Sequence, residues 1–244
     1  MTIPISALDS DHNGQQRAYF EGAVKRTMIP IDSPYLQRHV DALLQFGNIT
    51  SADRILEVGC GMGRYTLLLA RRGIQIEGLD LSPVLLARLR AYAAGSFDGP
   101  LYEADIAHPP SELIGRFDGV IALFALHHMR DLTAIFTSMF RLVKPGGRVV
   151  FLEPNPYNPL YYLQMLVTPG MGWKGDGGII RMRRRVISEA LSHAGFADPE
   201  MVRFGFLPPF AVNRPAGRRV EAVLERIPLW QWMLPFQLIR AHRP

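Results

Sequence analysis

Between Ile55 and Thr66 the chain reads ILEVGCGMGRYT, three alternating glycines behind an apolar run that carries one acid, Glu57. Glycine tolerates φ > 0 and has no Cβ, so such a turn lets a ligand approach the backbone. A dinucleotide pyrophosphate favours G-x-G-x-x-G at a helix start. Arg64 stands where that pattern places its last glycine, which weakens the dinucleotide reading. Asp80 closes the stretch IEGLD, where a carboxylate can accept hydrogen bonds from both hydroxyls of a ribose. Asp105 ends the third such apolar stretch, within LYEADI. Taken singly, Asp80 could cap the helix that follows and Asp105 could close a turn. His127 and His128 lie in FALHHM. An imidazole titrating near neutrality is a natural base for a hydroxyl nucleophile. Adjacent residues on a turn point in different directions, so at most one of the two faces a reacting group.

The elements that must position these residues alternate. Arg54–Val58, Ile74–Leu79, Leu101–Ala104, Phe117–Leu123 and Arg148–Glu153 read as short apolar strands. Helices fall between them at Tyr65–Arg72, Ser82–Ala94 and Leu132–Val143, and Pro34–Phe46 precedes them, capped by Ser33 and stopped by Gly47. Strands separated by helices imply parallel pairing with helices on both sheet faces. After Glu153 the rhythm breaks at EPNPYNP. Leu160–Val167 and Arg184–Ala194 read as helices, Met201–Phe206 as a strand, Arg214–Arg226 as a helix, and FQLIRAHR as a last strand. A short helix is expected around Gln15–Lys25.

The form E-x-G-x-G-x-G resembles motif I of class I S-adenosylmethionine-dependent methyltransferases. IEGLD, LYEADI and the turn LVKPGG follow in that family's order, so the resemblance covers about residues 50–153, and a helix, AGF and a strand over 183–206 extend it. The resemblance implies an α/β, Rossmann-like doubly wound sheet, mostly parallel with an antiparallel last strand. It implies S-adenosylmethionine as cofactor, its methionine part approached by the glycine loop and no phosphate involved. Cofactor contact is thereby expected at Glu57, Gly59, Cys60, Gly61, Gly63, Tyr65, Asp80, Leu81 and Leu123, with Asp105 on the adenine amino group and Ile106 beside the ring. Tyr19 and Phe20 lie in an N-terminal segment that often folds over the cofactor in the family. One domain is expected: residues 1–33 as an N-terminal lid, 34–153 as the cofactor-binding core, 154–180 and 207–235 as substrate-lid insertions, and 183–206 with 236–244 completing the sheet. Aromatics of the insertions, Tyr157, Tyr161, Tyr162, Trp173, Trp230 and Trp232, are expected chiefly as ordinary lid core.

Composition narrows the partners. The 244 residues are 48% hydrophobic, enough for a full core. No run reaches the roughly 20 apolar residues of a membrane-spanning helix. The start, MTIPISALDSDHNGQQ, lacks the basic and apolar regions of a signal peptide, and one cysteine fits a reducing cytoplasm. Scattered histidines and a single cysteine offer no metal-ligand spacing. His12, His39 and His193 are weaker base candidates, the first in a polar tail and the others on expected surface helices. Residues 1–150 carry 15 basic and 15 acidic side chains, residues 151–244 carry 12 and 7, so the whole net charge of +5 falls in the last third. RMRRR at 181–185 comes with no recognisable nucleic-acid module and reads as a solvated face. Two insertions suggest an enclosed site and hence a small-molecule acceptor, most simply the hydroxyl of a natural product or sugar-like metabolite. A lipid-linked or prenyl acceptor with peripheral membrane contact stays open through the apolar run IPLWQWMLPF, which is expected to be buried lid plus the last strand. A cofactor-binding cyclase, isomerase or regulatory protein that transfers no methyl stays open too, as does an NAD enzyme.

Overall fold

The computed structural model describes residues 5–22, 26–167, 172 and 177–244. Seven strands form one sheet in the order β3-β2-β1-β4-β5-β7-β6. They are β1 (Arg54–Val58), β2 (Gln75–Asp80), β3 (Leu101–Glu103), β4 (Phe117–Leu123), β5 (Val143–Pro154), β6 (Ala197–Phe204) and β7 (Phe236–His242). The first five pair in parallel, and β7 runs antiparallel between β5 and β6. FQLIRAHR therefore enters the sheet beside β5 rather than at its edge.

Helices lie on both faces. The first face is covered by α2 (Pro34–Gly47), α3 (Thr66–Arg71) and α4 (Pro83–Ala93), which bury Leu36, Val40, Leu43, Leu67, Leu68 and Leu89 against Ile55, Ile121 and Val150. The second is covered by α5 (Leu132–Leu142) and a helix over Arg184–His193, packed on Val120, Val149 and Phe151. With apolar contacts on both sides, β4 and β5 read as continuous apolar runs. Local chemistry sets the helix ends. Ser33 Oγ accepts the Leu36 N–H at 3.3 Å and Ser82 Oγ accepts that of Leu85 at 3.2 Å, each with proline next in the chain. α2 is closed by Asn48 at φ 49°, one residue past the expected stop. Gly47 serves close packing instead, since a Cβ there would meet Val150 at 2.9 Å.

Outside this core the expected bounds shift. The N-terminal helix, α1, spans Ile5–Gly22 rather than starting near Gln15. Strand β5 begins at Val143 because the VKPGG turn is itself extended, and β6 runs Ala197–Phe204 because Gly205, at φ 81°, turns the chain. In the first insertion α6 spans Pro159–Val167, and a 3-10 turn over Gly177–Met182 leads out of it to α7, the helix Arg184–His193. The second insertion holds α8 (Pro209–Val212), α9 (Pro215–Leu224) and a 3-10 turn, Pro228–Met233. Trp173 lies outside the described residues. The expectation that the insertion aromatics are lid core fails for Tyr157 and Trp232, which are 45% and 55% exposed. Among the described residues no helix is long and apolar enough to cross a membrane.

Candidate active site

The carboxyl ends of β1 to β5 gather the residues singled out in the sequence. The strand order reverses between β1 and β4, and ligands of open α/β sheets bind in the crevice at such a reversal. The glycine loop leaves β1 here. Gly59 and Cys60 donate their N–H groups to Leu79 O at 2.8 and 3.3 Å, clamping the loop to the end of β2. Gly59 sits at φ 72°, and a Cβ on it would strike Ala125 Cβ at 2.7 Å. Gly61 is also left-handed, at φ 52°, but a Cβ there would meet nothing within 4 Å. The loop thus presents bare backbone to open space at Gly61. Gly63 is fixed by packing on Leu89. The Cys60 side chain is buried against Gly78, so only its backbone remains for a ligand. Burial raises its thiol pKa well above the ordinary range.

The acids behind the loop are tied into it. Glu57 is 2% exposed, and its Oε2 accepts the Thr66 hydroxyl at 2.6 Å. Burial first, and the nearby Asp80 charge after it, push its pKa up to about 8, against the pull of the Thr66 bond. Asp80, the last residue of β2, accepts the Gly61 N–H at 2.8 Å on Oδ2 and the Ser82 N–H at 2.9 Å on Oδ1. Burial raises its pKa, opposed by those backbone bonds. A carboxylate offers about four acceptor sites, so capacity remains beyond the Gly61, Ser82 and Leu81 N–H groups. Asp105 accepts the Ala107 N–H at 2.9 Å, and its other oxygen accepts the Asn13 amide at 2.7 Å. Leu81 lies half-buried just past Asp80, while Ile106 and Leu123 are buried near the ends of β3 and β4.

Helix α1 crosses this edge of the sheet. Asn13 reaches Asp105, Arg17 reaches Glu103 at 3.5 Å, and Glu21 accepts the Ser82 hydroxyl. Phe20 packs edge-on to the His128 ring with centroids 4.9 Å apart, and Tyr19 packs on Phe20 at 5.1 Å. The helix therefore bridges the exits of β2, β3 and β4.

The two histidines differ sharply. His127 is 4% exposed, and its Nδ1 lies 2.6 Å from Glu153 Oε2. Glu153, wholly buried at the end of β5, accepts the Ala125 and Leu126 N–H groups on Oε1, at 2.9 and 2.7 Å. An acceptor so placed selects the tautomer with the proton on Nδ1 and leaves Nε2 a lone pair. Arg181 donates to the carbonyls of His127 and Met129 at 3.2 and 2.9 Å, holding the turn from outside. Gly178 admits that approach, because a Cβ there would meet His127 O at 1.7 Å. The turn starts from Phe124, a non-glycine residue at φ 55°, and such backbone strain concentrates at functional sites. His128 is half-buried, its ring centroid 3.9 Å from that of His127.

His39 requires correction: the sequence reading puts it on a surface helix, yet it is 2% exposed. Its Nδ1 bonds the Tyr65 hydroxyl at 2.8 Å inside a ring cluster with Tyr35, Phe124 and Phe236. Burial, then the Arg64 and Arg38 charges, bring its pKa down to about 3. Tyr65 is buried in that cluster with its pKa raised by burial, so its hydroxyl serves His39. His193 is exposed as expected, and the His12 side chain lies outside the described residues. Among the described residues no three metal-ligating side chains converge. Asn13, Glu153 and Gly178 escaped the sequence reading, and Arg181, read there as part of a solvated face, is instead half-buried against the His127 turn, with Met182 beside it wholly buried. Only Glu153 left a signal, an acid ending an apolar strand as Glu57 nearly ends β1.

A doubly wound sheet of this order, with a glycine loop after its first strand and acids closing the next two, defines a Rossmann-like ligand-binding protein of the class I methyltransferase kind. A family model described as "Methyltransferase domain" matches residues 32–200, and the chain belongs to that family. Among curated proteins it is 35% identical over 113 residues to a ubiquinone biosynthesis O-methyltransferase of Pseudomonas aeruginosa, covering 45% of this chain and 47% of that one. The chain thus spans about half the length of the curated relatives it matches. Among solved structures, geranyl diphosphate C-methyltransferase from Streptomyces coelicolor A3(2) superposes with a TM-score of 0.63 at 16% identity, over 96% of this chain and 98% of that one. The [4+2]-cyclase SpnF superposes with a TM-score of 0.57 at 21% identity, over 85% and 81%. At those identities the likeness is one of fold.

Proposed function

We propose that the protein transfers a methyl group from S-adenosylmethionine to a hydroxyl of a small-molecule acceptor, with His127 as the base. The observation that carries this reading is the buried His127–Glu153 pair at the exit of β4, beside the glycine loop. The residues present fit the cofactor: bare backbone at Gly61, two carboxylates with spare lone pairs, and buried Ile106 and Leu123 for an adenine face. Asp80 would hold the ribose hydroxyls and Asp105 with Ile106 the adenine, while Gly59, Gly61 and Gly63 keep the loop open for the methionine part. Bound there, the cofactor supplies a methyl-bearing sulfonium, the electrophile of a direct displacement. The chain aligns the acceptor, excludes water and takes one proton. The hydroxyl proton passes to His127 Nε2, and the imidazolium formed is stabilised by Glu153, which is a positioning residue. Residues 1–33 serve as the lid over the cofactor, and the segments 154–180 and 207–235 enclose the acceptor. The O-methyltransferase named among the relatives supports oxygen as the methylated atom.

The experiment is a steady-state assay of S-adenosylhomocysteine release with hydroxylated acceptors, for wild type and His127→Gln. The expected result is turnover that falls about 10²- to 10⁴-fold in the variant, the usual contribution of a general base. Turnover insensitive to the variant would remove His127 from the chemistry. The fold likeness to a [4+2]-cyclase supports a second reading, cofactor binding without transfer. Product formed with no S-adenosylhomocysteine released would favour it.

A further inference from the structure

We propose that the face built by the two insertions docks on a bilayer carrying anionic headgroups. Helix α6, PLYYLQMLV, contains no charged residue, and Leu160, Leu163 and Leu166 are 59%, 54% and 76% exposed. Three-residue spacing puts these leucines in one stripe, while Met165 on the opposite side is buried. A soluble helix ordinarily turns such a stripe inward, as α2 and α5 do with Leu36, Val40, Ile135 and Met139. The second insertion adds Leu229 and Trp232, 68% and 55% exposed, where the sequence reading expected a buried lid.

Two buried asparagines make one surface of the two insertions. Asn155 Nδ2 donates to Trp232 O and Leu234 O at 2.9 and 2.7 Å, and Asn158 Nδ2 donates to Met233 O at 2.6 Å. Asn158 Oδ1 also accepts the Leu160 N–H at 2.8 Å. The start of α6 is thereby bound to the Trp232 turn. Exposed apolar side chains gathered on joined elements mark interaction sites.

Charge selects the occupant. Arg183, Arg184 and Arg185 are exposed, and Arg183 and Arg184 enter no ion pair with a carboxylate among the described residues. Arg183 lies near Tyr162 of α6, and Arg184 lies near Arg203, which stacks over Tyr157 at 5.6 Å. The apolar stripe is thus rimmed by guanidinium groups, within the third of the chain that holds all the excess positive charge. Leucine and tryptophan that enter the headgroup boundary, flanked by arginines that meet phosphate, are the chemistry of an interfacial helix. Since α6 follows closely on Glu153, an apolar acceptor could reach His127 from the lipid side; that consequence, unlike the docking, rests on the methyl-transfer reading.

The test is co-sedimentation of the full chain with phosphatidylcholine vesicles, with and without phosphatidylglycerol. It is repeated for Leu163→Asp/Leu166→Asp and for Arg183→Glu/Arg184→Glu. Wild type is expected to pellet with phosphatidylglycerol vesicles, less so as salt rises. The leucine variant is expected to lose about tenfold or more in partitioning, and the arginine variant to lose the preference for anionic lipid. Both should keep the wild-type thermal transition and S-adenosylhomocysteine titration, which separates failure here from failure of the cofactor reading. Wild type left in the supernatant, or a leucine variant that pellets as wild type does, would overturn the proposal. So would a dimer seen by light scattering that the leucine substitutions abolish without any vesicle binding.

Discussion

At the scale of single residues, the protein separates two kinds of buried acid. Glu153 has three polar hydrogens aimed at it and a histidine to orient, whereas Glu57 has one hydroxyl and an apolar surround. Replacing Glu153 by Gln keeps the shape but gives His127 Nδ1 no fixed charge to answer. The expected outcome is a kcat reduced about 10- to 10³-fold with an unchanged cofactor KM. A purely structural Glu153 would lower stability and leave kcat near the wild-type value. Glu57 makes a prediction of opposite kind. Its pKa rises from 4.5 unfolded to about 8 folded, so folding binds a proton between those values. The contribution of Glu57 to stability then falls as pH climbs from about 4.5 to 8, by a total on the order of a few kcal/mol, unopposed by His39 above pH 6.5. Glu57→Gln retains an acceptor for Thr66 and should flatten that decline in thermal melts. His39, held down to about 3, has the reverse sign: its contribution is complete above pH 6.5 and is lost as pH falls from there toward 3.

At the scale of elements, α1 lies across the exits of β2 and β3, next to Asp80 and the glycine loop that Asp80 holds. Asn13 occupies an Asp105 oxygen and Phe20 covers His128, so α1 is placed to close over whatever Asp105 binds. Asn13→Ala with Phe20→Ala is expected to weaken S-adenosylhomocysteine severalfold by calorimetry, with little change in the melting temperature. Gly59→Ala should be costlier to the fold, since φ is 72° and the new Cβ would sit 2.7 Å from Ala125. A loss of about 1–3 kcal/mol is expected in urea titration. The β-α rhythm from Arg54 to Glu153 is legible in sequence because apolar runs, Ser-Pro caps and glycine stops agree there. The polar partners are not legible: Asn13 and Asp105 are 92 positions apart, and His127 and Glu153 are 26 apart. His39 was misread for the same reason, as only the fold shows that the α2 face carrying it turns toward Tyr65 and Phe236.

At the scale of the whole molecule, a rigid sheet carries a site at one edge and two irregular insertions above it. Buried strands declare themselves through apolar continuity, so the sheet and its antiparallel addition were readable. The insertions were not, because IPLWQWMLPF looks the same whether its apolar side chains turn inward, as Leu234 does, or outward, as Leu229 and Trp232 do. The exposed leucines and arginines give the molecule a polarity, apolar and cationic on the side of α6 and the Trp232 turn. The central claim is that the loop from Gly59 to Gly63, with Asp80 behind it, holds S-adenosylmethionine. Calorimetric titration of S-adenosylhomocysteine into wild type and Asp80→Ala, beside an NAD control, tests it most directly. Micromolar binding that Asp80→Ala weakens at least about tenfold, with no heat from NAD, is the expected result. Binding of NAD in place of S-adenosylhomocysteine, or affinity indifferent to Asp80, would contradict the account.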